Sequence, residues 1–308
     1  MHAKTIRTRA ALSVALLALT GTVLTARAGA DDPFDQSRVP LEVQPADASQ
    51  TKIVLVAGHK SHGPGDHEFF AGCAILMNLL KQTPGVFPVM ARDDWPRDEE
   101  KTYHGAKGVV YYMDGGNNHP VIQRGHMDVV KKLVDSKAGF VNLHYAVEYP
   151  KQFNDRVFPW LGGYYETGYS TNPHWVADFK KLPEHPITRG VKPFAIRDEW
   201  YFNIRFPPDM KGITPILKAT PPDNVRGTAA AKEHAGREEI VAWAFERENG
   251  GRSFGFTGGH THKNWGDESF RRLVVNAILW SAGVEVPKEG AKVELDSADL
   301  NKNLDKKK

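Results

Sequence analysis

The feature that most constrains the fold is a regular alternation of two sequence patterns from residue 52 onward. Short apolar runs rich in β-branched residues predict buried strands at 52–57, 86–90, 108–113 and 140–144. Apolar residues at helical spacing predict helices between them, at 67–81 and 123–135. Strands that alternate with helices predict an α/β fold with a mostly parallel sheet, covered on both faces.

Past Tyr149 the alternation gives way to an aromatic and glycine-rich insertion that reaches about Pro173. A pair of strands and a closing helix are then predicted at 240–245, 252–256 and 269–280. We therefore predict one domain at 51–284. The remaining residues, 285–308, form a charged tail, which from Glu289 is expected to be loosely held.

The N-terminal residues have the composition of an export signal. A basic start precedes an apolar run at 10–24, and Ala26-Arg27-Ala28 has the small-x-small pattern of a signal-peptidase site. The apolar run is too short for a comfortable membrane span. These features predict a signal peptide at 1–28 and a linker at 29–50. We expect a periplasmic or secreted protein with no membrane span after cleavage.

Composition excludes several classes of protein. A formal net charge of +3, without a basic stripe carrying interleaved aromatic residues, argues against nucleic acid as a partner. The single cysteine, Cys73, excludes an intramolecular disulfide and lies on a helical apolar pattern, which indicates a core thiol. The sequence does not determine the oligomeric state.

Polar clusters follow four of the predicted strands. In an open α/β sheet ligands bind outside the carboxyl ends of the strands, so these clusters are expected to line one site. They are His59, His62, Asp66 and His67 after the first strand, Asp114-Gly-Gly-Asn117-Asn-His119 after the third, His144 and Glu148 after the fourth, and Gly258-Gly-His260-Thr-His262 after the last.

Each cluster also has a purely structural interpretation. The first loop could hold a divalent metal through His59 with His62 or His67, or it could be a polar turn in which Asp66 caps a helix. The glycines after Asp114 suit either close approach of a ligand or turn geometry.

The later clusters are equally open. His144 ends an apolar strand abruptly, as nucleophiles do at strand–turn–helix elbows, yet it could be a satisfied core residue. His260 and His262 form either a ligand or acid–base pair or part of a solvated loop. The rings of Trp160, Tyr164 and Tyr169 suit stacking on sugar faces, or they pack the insertion onto the domain.

Four motifs in order resemble the ThuA-like (trehalose utilisation) family. They are Gly139-Phe-Val-Asn-Leu-His144-Tyr-Ala, His185-Pro-Ile-Thr-Arg-Gly190, Asp198-Glu-Trp-Tyr201 and Gly258-Gly-His260. The resemblance implies a flavodoxin-like, doubly wound fold of the class I glutamine amidotransferase-like superfamily. It also implies a sugar context, with a glycoside or 3-keto-glycoside as substrate. True amidotransferases have a cysteine at the elbow where this chain has His144, so glutamine hydrolysis is not expected.

These considerations give a specific hypothesis for the site. The expected catalytic residues are His144, His260, His59 and Glu148. The expected substrate-binding residues are Asp114, Asn117, Glu199, Trp160, Tyr164, Tyr169 and Trp265. A divalent metal, zinc or manganese, is expected on His59, His144, His260 and His262. The alternative is a non-catalytic sugar-binding or scaffold module on the same fold.

Overall fold

The computed structural model describes residues 1–2 and 32–308 of the chain. The chain divides into two units, 1–31 and 32–308. The predicted signal peptide at 1–28 lies almost wholly outside the described residues, as do the first residues of the predicted linker. In the described part of the chain, no helix has the length and apolar character needed to cross a membrane.

The second unit contains nine strands and six α-helices among the described residues. The strands are β1 (Thr51–Ala57), β2 (Val86–Ala91), β3 (Gly108–Tyr112), β4 (Gly139–Leu143), β5 (His174–Phe179), β6 (Phe194–Glu199), β7 (Ile213–Ala219), β8 (Glu239–Glu246) and β9 (Arg252–Phe256). The helices are α1 (Phe69–Leu80), α2 (Glu99–Tyr103), α3 (His126–Asp135), α4 (Asn154–Leu161), α5 (Ala229–Lys232) and α6 (Glu268–Ser281).

Seven strands form one sheet in the order β2-β1-β3-β4-β9-β8-β7. The first five are parallel, and β8 runs antiparallel to both β9 and β7. The parallel part has the doubly wound order of flavodoxin-like folds, in which the direction of winding reverses between β1 and β3. This confirms the predicted fold class.

Both faces of the sheet are buried, as the apolar strands require. Ile53 and Leu55 of β1 pack into a core with α1 and α6, whereas Val54 and Val56 pack into a second core with α3 and α4. Successive side chains of a strand point to opposite faces, so a strand with helices on both sides is apolar throughout. The carboxyl ends of β1, β3, β4 and β9 therefore meet at one rim.

The predicted strands and long helices are present with small shifts in their ends, but the segments between them contain further structure that was not predicted. The antiparallel ribbon of β5 and β6, edge strand β7 and short helices α2, α4 and α5 were not predicted. The ribbon pairs His174 with Glu199 at the end nearest the rim. The ribbon thus contributes a wall to the site.

The C-terminal tail is packed, contrary to the expectation that it would be loosely held. Ala291 and Val293, which follow Glu289, are buried in the core beside α6. The apolar residues among the charges anchor the segment, so net charge alone was a poor guide to its order.

Candidate active site

Four side chains from three separate loops and the ribbon converge above the sheet rim. Nitrogen atoms of His67, His144 and His260 and a carboxylate oxygen of Glu199 all lie within 4.8 Å of one another. The three imidazoles are buried, and the Glu199 side chain is 14% exposed. We call these four residues the histidine–glutamate cluster.

The distances within the histidine–glutamate cluster are short. The Nε2 atom of His67 lies 3.0 Å from Nε2 of His144 and 3.0 Å from Nδ1 of His260. An oxygen of Glu199 lies 2.9 Å from Nδ1 of His260 and 3.5 Å from Nε2 of His144. Four atoms that can carry a lone pair, three nitrogens and one oxygen, thus surround one small space.

A backbone carbonyl fixes the tautomer of His144. Its Nδ1 lies 2.9 Å from the carbonyl oxygen of Thr257, which can only accept a hydrogen bond. Neutral His144 therefore carries its proton on Nδ1 and directs the lone pair of Nε2 into the cluster. The Tyr201 hydroxyl, 3.3 Å from Nε2, can donate to that lone pair.

A carboxylate orients His67 in the same way. Its Nδ1 lies 2.9 Å from Asp114 Oδ1, so the Nδ1 proton is donated outward and Nε2 again faces the cluster with a lone pair. Burial, followed by the proximity of His144, holds the pKa of His67 well below its usual range. The lone pairs of His67 and His144 consequently face each other.

His260 bridges two carboxylates. Its Nδ1 contacts Glu199, and its Nε2 lies 3.5 Å from Asp66 Oδ1. Burial opposes a charge on this ring, but the hydrogen bond and negative charge of Glu199 outweigh it and raise the pKa of His260. Although burial acts against it, contact with His144 and His260 holds the pKa of Glu199 well below its ordinary value.

The backbone around the cluster is held in uncommon conformations. His144 (φ 55°) and His67 (φ 47°) both adopt left-handed backbone, which residues other than glycine rarely do. For His144 this is the sharp elbow that the sequence predicted after β4. Strain of this kind persists where the surroundings impose it, and it is concentrated at functional sites.

Backbone pairing brings His67 and His260 together. Asp66 and Thr261 form an isolated antiparallel bridge, and the His67 amide donates to the His260 carbonyl at 2.9 Å. The buried carboxylate of Asp198 accepts from the amides of Gly259 (2.7 Å) and Thr261 (3.1 Å). The loop after β9 is therefore fixed from both sides.

The rim around the cluster carries further acidic groups and another imidazole. His59 Nδ1 contacts Asp94 at 2.7 Å, while its Nε2 lies 3.9 Å from Asp114. The Glu148 carboxylate accepts from Thr167 at 2.7 Å, and burial raises its pKa. These groups can exchange protons with a ligand above the cluster.

Comparisons with known proteins agree with this architecture. The sequence profile of the ThuA family, described as "Trehalose utilisation", matches residues 54–281, which is most of the chain. This chain belongs to the ThuA family. None of the curated proteins matches it.

Two solved structures resemble this ThuA-family chain. A thua-like protein from Bacteroides uniformis ATCC 8492 has 17% sequence identity and a TM-score of 0.55, covering 78% of this chain and 94% of its own. The glutaminase domain of Trypanosoma brucei CTPS with bound acivicin has 9% identity and a TM-score of 0.44, covering 80% of this chain and 100% of its own. The first of these likenesses supports the fold.

Within the ThuA domain, two histidines predicted as metal ligands lie outside the histidine–glutamate cluster. The His59 side chain is 55% exposed at the rim and is held by Asp94. His262 is buried beside Glu68 and Lys307, where burial lowers its pKa to about 4. His260 and His262 were predicted to act as a pair on one loop, but a 3₁₀ turn begins at His262 and separates the two rings.

Most of the predicted sugar-binding aromatic residues belong to the core. Trp160, Tyr164 and Trp265 are at most 6% exposed, so their faces are covered by protein and not available for stacking. Tyr169 is half-buried, with the Arg205 guanidinium 3.3 Å from its ring centroid. The packing interpretation of the aromatic segment was the right one for these residues.

Different residues of the Asp114 loop support the ligand-site and the turn interpretations. Asp114 orients His67, whereas Asn117 is exposed and its carbonyl accepts from Gln123. Gly115 is needed because a Cβ there would collide with the Tyr145 carbonyl oxygen. Gly115 thus allows the loop to pack closely against the protein backbone.

The sequence patterns offered His67 only as an alternative metal ligand and indicated only substrate binding for Glu199. His67 stands at the end of a glycine-rich loop, where the pattern predicted the first residue of a helix, but α1 begins at Phe69. Glu199 was predicted to bind substrate, and the ribbon places it in contact with two imidazoles. The spacing of the motifs carried no signal for how the ribbon folds back.

Proposed function

We propose that this ThuA-family protein is a carbohydrate-active enzyme whose histidine–glutamate cluster holds a divalent cation, zinc or manganese. One observation carries the proposal: three imidazole nitrogens and one carboxylate oxygen converge within 4.8 Å. The opposite nitrogen of each ring faces an oxygen acceptor, on Thr257, Asp114 and Asp66. Ligand histidines of metal sites are oriented by outer acceptors of this kind.

The donor chemistry supports a metal over a purely structural cluster. Without a cation or proton between them, the lone pairs of His67 and His144 repel each other at 3.0 Å. Neutral imidazole with one carboxylate suits zinc and other first-row divalent metals. A bound cation would supply Lewis-acid polarisation of a carbonyl or hydroxyl oxygen.

The family description supports a sugar as the substrate, and we propose a glycoside or 3-keto-glycoside. The rim above the cluster offers the carboxylates of Asp114 and Glu148 and the hydroxyl of Thr167, groups that suit sugar hydroxyls. A keto group at C3 makes the neighbouring C–H bond acidic. Removal of that proton is the first step of isomerisation or of elimination of the glycosidic oxygen.

Two rim residues are suited to proton transfer. Glu148 has its pKa raised by burial and so is a stronger base than an exposed carboxylate. His59 has its pKa raised by Asp94 and so keeps its proton to a higher pH, which suits an acid. We assign Glu148 as the base and His59 as the acid of the proposed reaction.

The residues present do not support glutamine hydrolysis. His144 stands at the elbow, where a thiolate nucleophile would be needed. Cys73 is buried within α1, and burial raises the pKa of its thiol. A buried thiol with a raised pKa is a poor nucleophile.

The test combines metal analysis with a substrate screen. Purified protein should contain about one equivalent of zinc or manganese by elemental analysis, since the four donors suit a single ion. It should also turn over one member of a panel of glucosides and their 3-keto derivatives. Variants His144→Ala and His67→Ala should lose both the metal and the activity, whereas His104→Ala, on the surface and outside the cluster, should keep both. Full turnover by folded His144→Ala protein would overturn the proposal.

The same screen tests the alternative of a sugar-binding module. That alternative predicts sugar affinity that survives chelator and loss of His144. Burial of Trp160 and Tyr164 removes two of the rings on which it depended. Metal-independent sugar binding without turnover would favour it over the enzyme.

We also propose that the protein is exported, on the basis of the basic and apolar N-terminal pattern. Export would place the site in the periplasm or outside the cell. N-terminal sequencing of the mature protein should begin near residue 29. Recovery of the intact N-terminus from the cytoplasmic fraction alone would contradict export.

A further inference from the structure

The last residues of the chain form a strap across the loop that carries His67. We define the C-terminal strap as residues 303–308. The Lys307 ammonium lies 3.3 Å from Glu68 Oε1, and both side chains are only 2% exposed. The amide of Asp305 donates to Glu68 Oε2 at 2.7 Å. A buried lysine in a run of three lysines is unusual, because such runs are normally solvated.

The strap contacts the loop on both sides of the ligand residue. Lys307 Nζ donates to the carbonyl of Asp66, the residue before His67. Glu68, the residue after it, accepts from the Gly65 amide at 3.0 Å. The His67 backbone is thus held between two groups that the strap engages.

The strap is itself anchored to the rest of the domain. Lys60 Nζ donates to the carbonyl of Lys306 at 3.1 Å. The Gln36 side-chain amide donates to the carbonyls of Asn303 and Leu304 at 3.1 and 3.2 Å. A buried ion pair is stable when further hydrogen bonds satisfy its remaining polar atoms. The hydrogen bonds described above do this for Lys307 and Glu68.

We propose that Lys307 is a positioning residue for the metal-binding loop. By holding the Asp66 carbonyl and pairing with Glu68, it sets the left-handed backbone at His67 (φ 47°) that directs Nε2 into the histidine–glutamate cluster. It also fixes Asp66, whose carboxylate lies 3.5 Å from His260. The inference rests on the proposed metal function of the cluster.

The experiment compares Co²⁺ binding by the whole protein and three variants. Co²⁺ reports its ligand geometry through visible absorption, a readout that a general loss of stability does not move. Lys307→Met should weaken Co²⁺ affinity at least about tenfold and alter the band shape, in the range seen when outer residues of metal sites are removed. Lys308→Met, at an exposed neighbouring lysine, should match the wild type.

A double variant keeps the test decisive if Lys307→Met folds poorly because Glu68 is left unpaired. Lys307→Met with Glu68→Gln removes both charges and keeps an acceptor for the Gly65 amide but not for the Asp305 amide, so it should recover part of the thermal stability without recovering Co²⁺ affinity. Wild-type affinity and spectrum in this folded double variant would overturn the positioning role. Absence of Co²⁺ binding by the wild type would instead overturn the proposed function.

Discussion

The carboxylate of Glu199, at the end of β6 in the ribbon, lies 2.9 Å from the Nδ1 atom of His260, on the loop after β9. The contact joins the ribbon, which was not predicted, to the loop after β9, a strand that was predicted. It raises the pKa of the imidazole and lowers that of the carboxylate. In the metal-free protein, the two residues therefore form an ion pair that acid or base would discharge.

Glu199→Gln is expected to destabilise the metal-free protein most between pH 4.5 and 6.5, the ordinary pKa values of the two groups. The carboxylate, with a lowered pKa, contributes stability above its unfolded value of 4.5 and loses it as the pH falls through the folded value. The imidazole, with a raised pKa, contributes stability below its unfolded value of 6.5 and loses it as the pH rises through the folded value.

Urea unfolding of chelator-treated wild type and Glu199→Gln at about pH 5.5 and about pH 8.5, on either side of the ordinary imidazole pKa, measures the effect. The free energy lost on substitution should be larger at the lower pH, because the raised pKa of His260 contributes stability below its unfolded value and loses it as the pH rises. Glu233→Gln, at an exposed position, should show no pH dependence. An equal loss at both pH values would show that the pair is not charged.

Asp114→Asn should weaken zinc binding roughly 10- to 100-fold, the usual effect of removing a carboxylate that orients a ligand histidine. The asparagine can still accept from His67 Nδ1 but lacks the negative charge that makes the ring a stronger donor to a metal. Competition titration with a chromophoric chelator measures the affinity. Asp128→Asn, at an exposed site on α3, is the control, and equal affinities for both variants would contradict the role of Asp114.

His59 is expected to titrate above its ordinary pKa of about 6.5. The hydrogen bond to Asp94 and the nearby acidic groups favour the charged ring, although partial burial opposes it. The pair stabilises the protein below that ordinary pKa and ceases to do so as the pH rises through the folded value.

Proton NMR of the His59 ring across roughly pH 5–9 checks this, because the range brackets the ordinary imidazole pKa. Asp94→Asn should return the midpoint toward about 6.5. Asp93→Asn should cause a smaller shift, because Asp93 acts on the ring only through space. A midpoint unchanged by Asp94→Asn would falsify the assignment of His59 as a rim acid.

Asp198→Ala should lower the free energy of unfolding by about 3 kcal/mol. The substitution leaves the amides of Gly259 and Thr261 without their acceptor in the interior, and each such loss costs about 1–3 kcal/mol. Urea unfolding measures the change. Asp155→Ala on the surface should stay within about 0.5 kcal/mol, and a comparably small change for Asp198→Ala would show that water replaces the carboxylate.

The sheet and half of the site were predictable because they depend on local patterns. The β-branched runs determined the strands, and the rule that ligands bind beyond the carboxyl ends of strands placed His144 and His260 at one rim. A short run that is apolar at every position fits a strand buried on both faces, so these segments have few other places in the fold. The position of a residue at the strand end is then sufficient to locate it.

The rest of the site depends on long-range contacts that no local pattern encodes. His67 reaches the cluster through a bridge between Asp66 and Thr261, and Glu199 reaches it through the docking of the ribbon. The aromatic residues were ambiguous for a related reason. A ring that packs a loop and a ring that stacks on a ligand have the same local sequence.

The ribbon of β5 and β6 supplies only one of the four cluster side chains, and this has a thermodynamic consequence. Any cation that binds all four must favour the state in which the ribbon is docked on the sheet, and docking of the ribbon must strengthen cation binding by the same factor. Metal content would then report whether the ribbon is docked on the sheet. Chelation should loosen a segment distant in sequence from the three histidines, with increased amide hydrogen exchange in β5 and β6 as its visible sign.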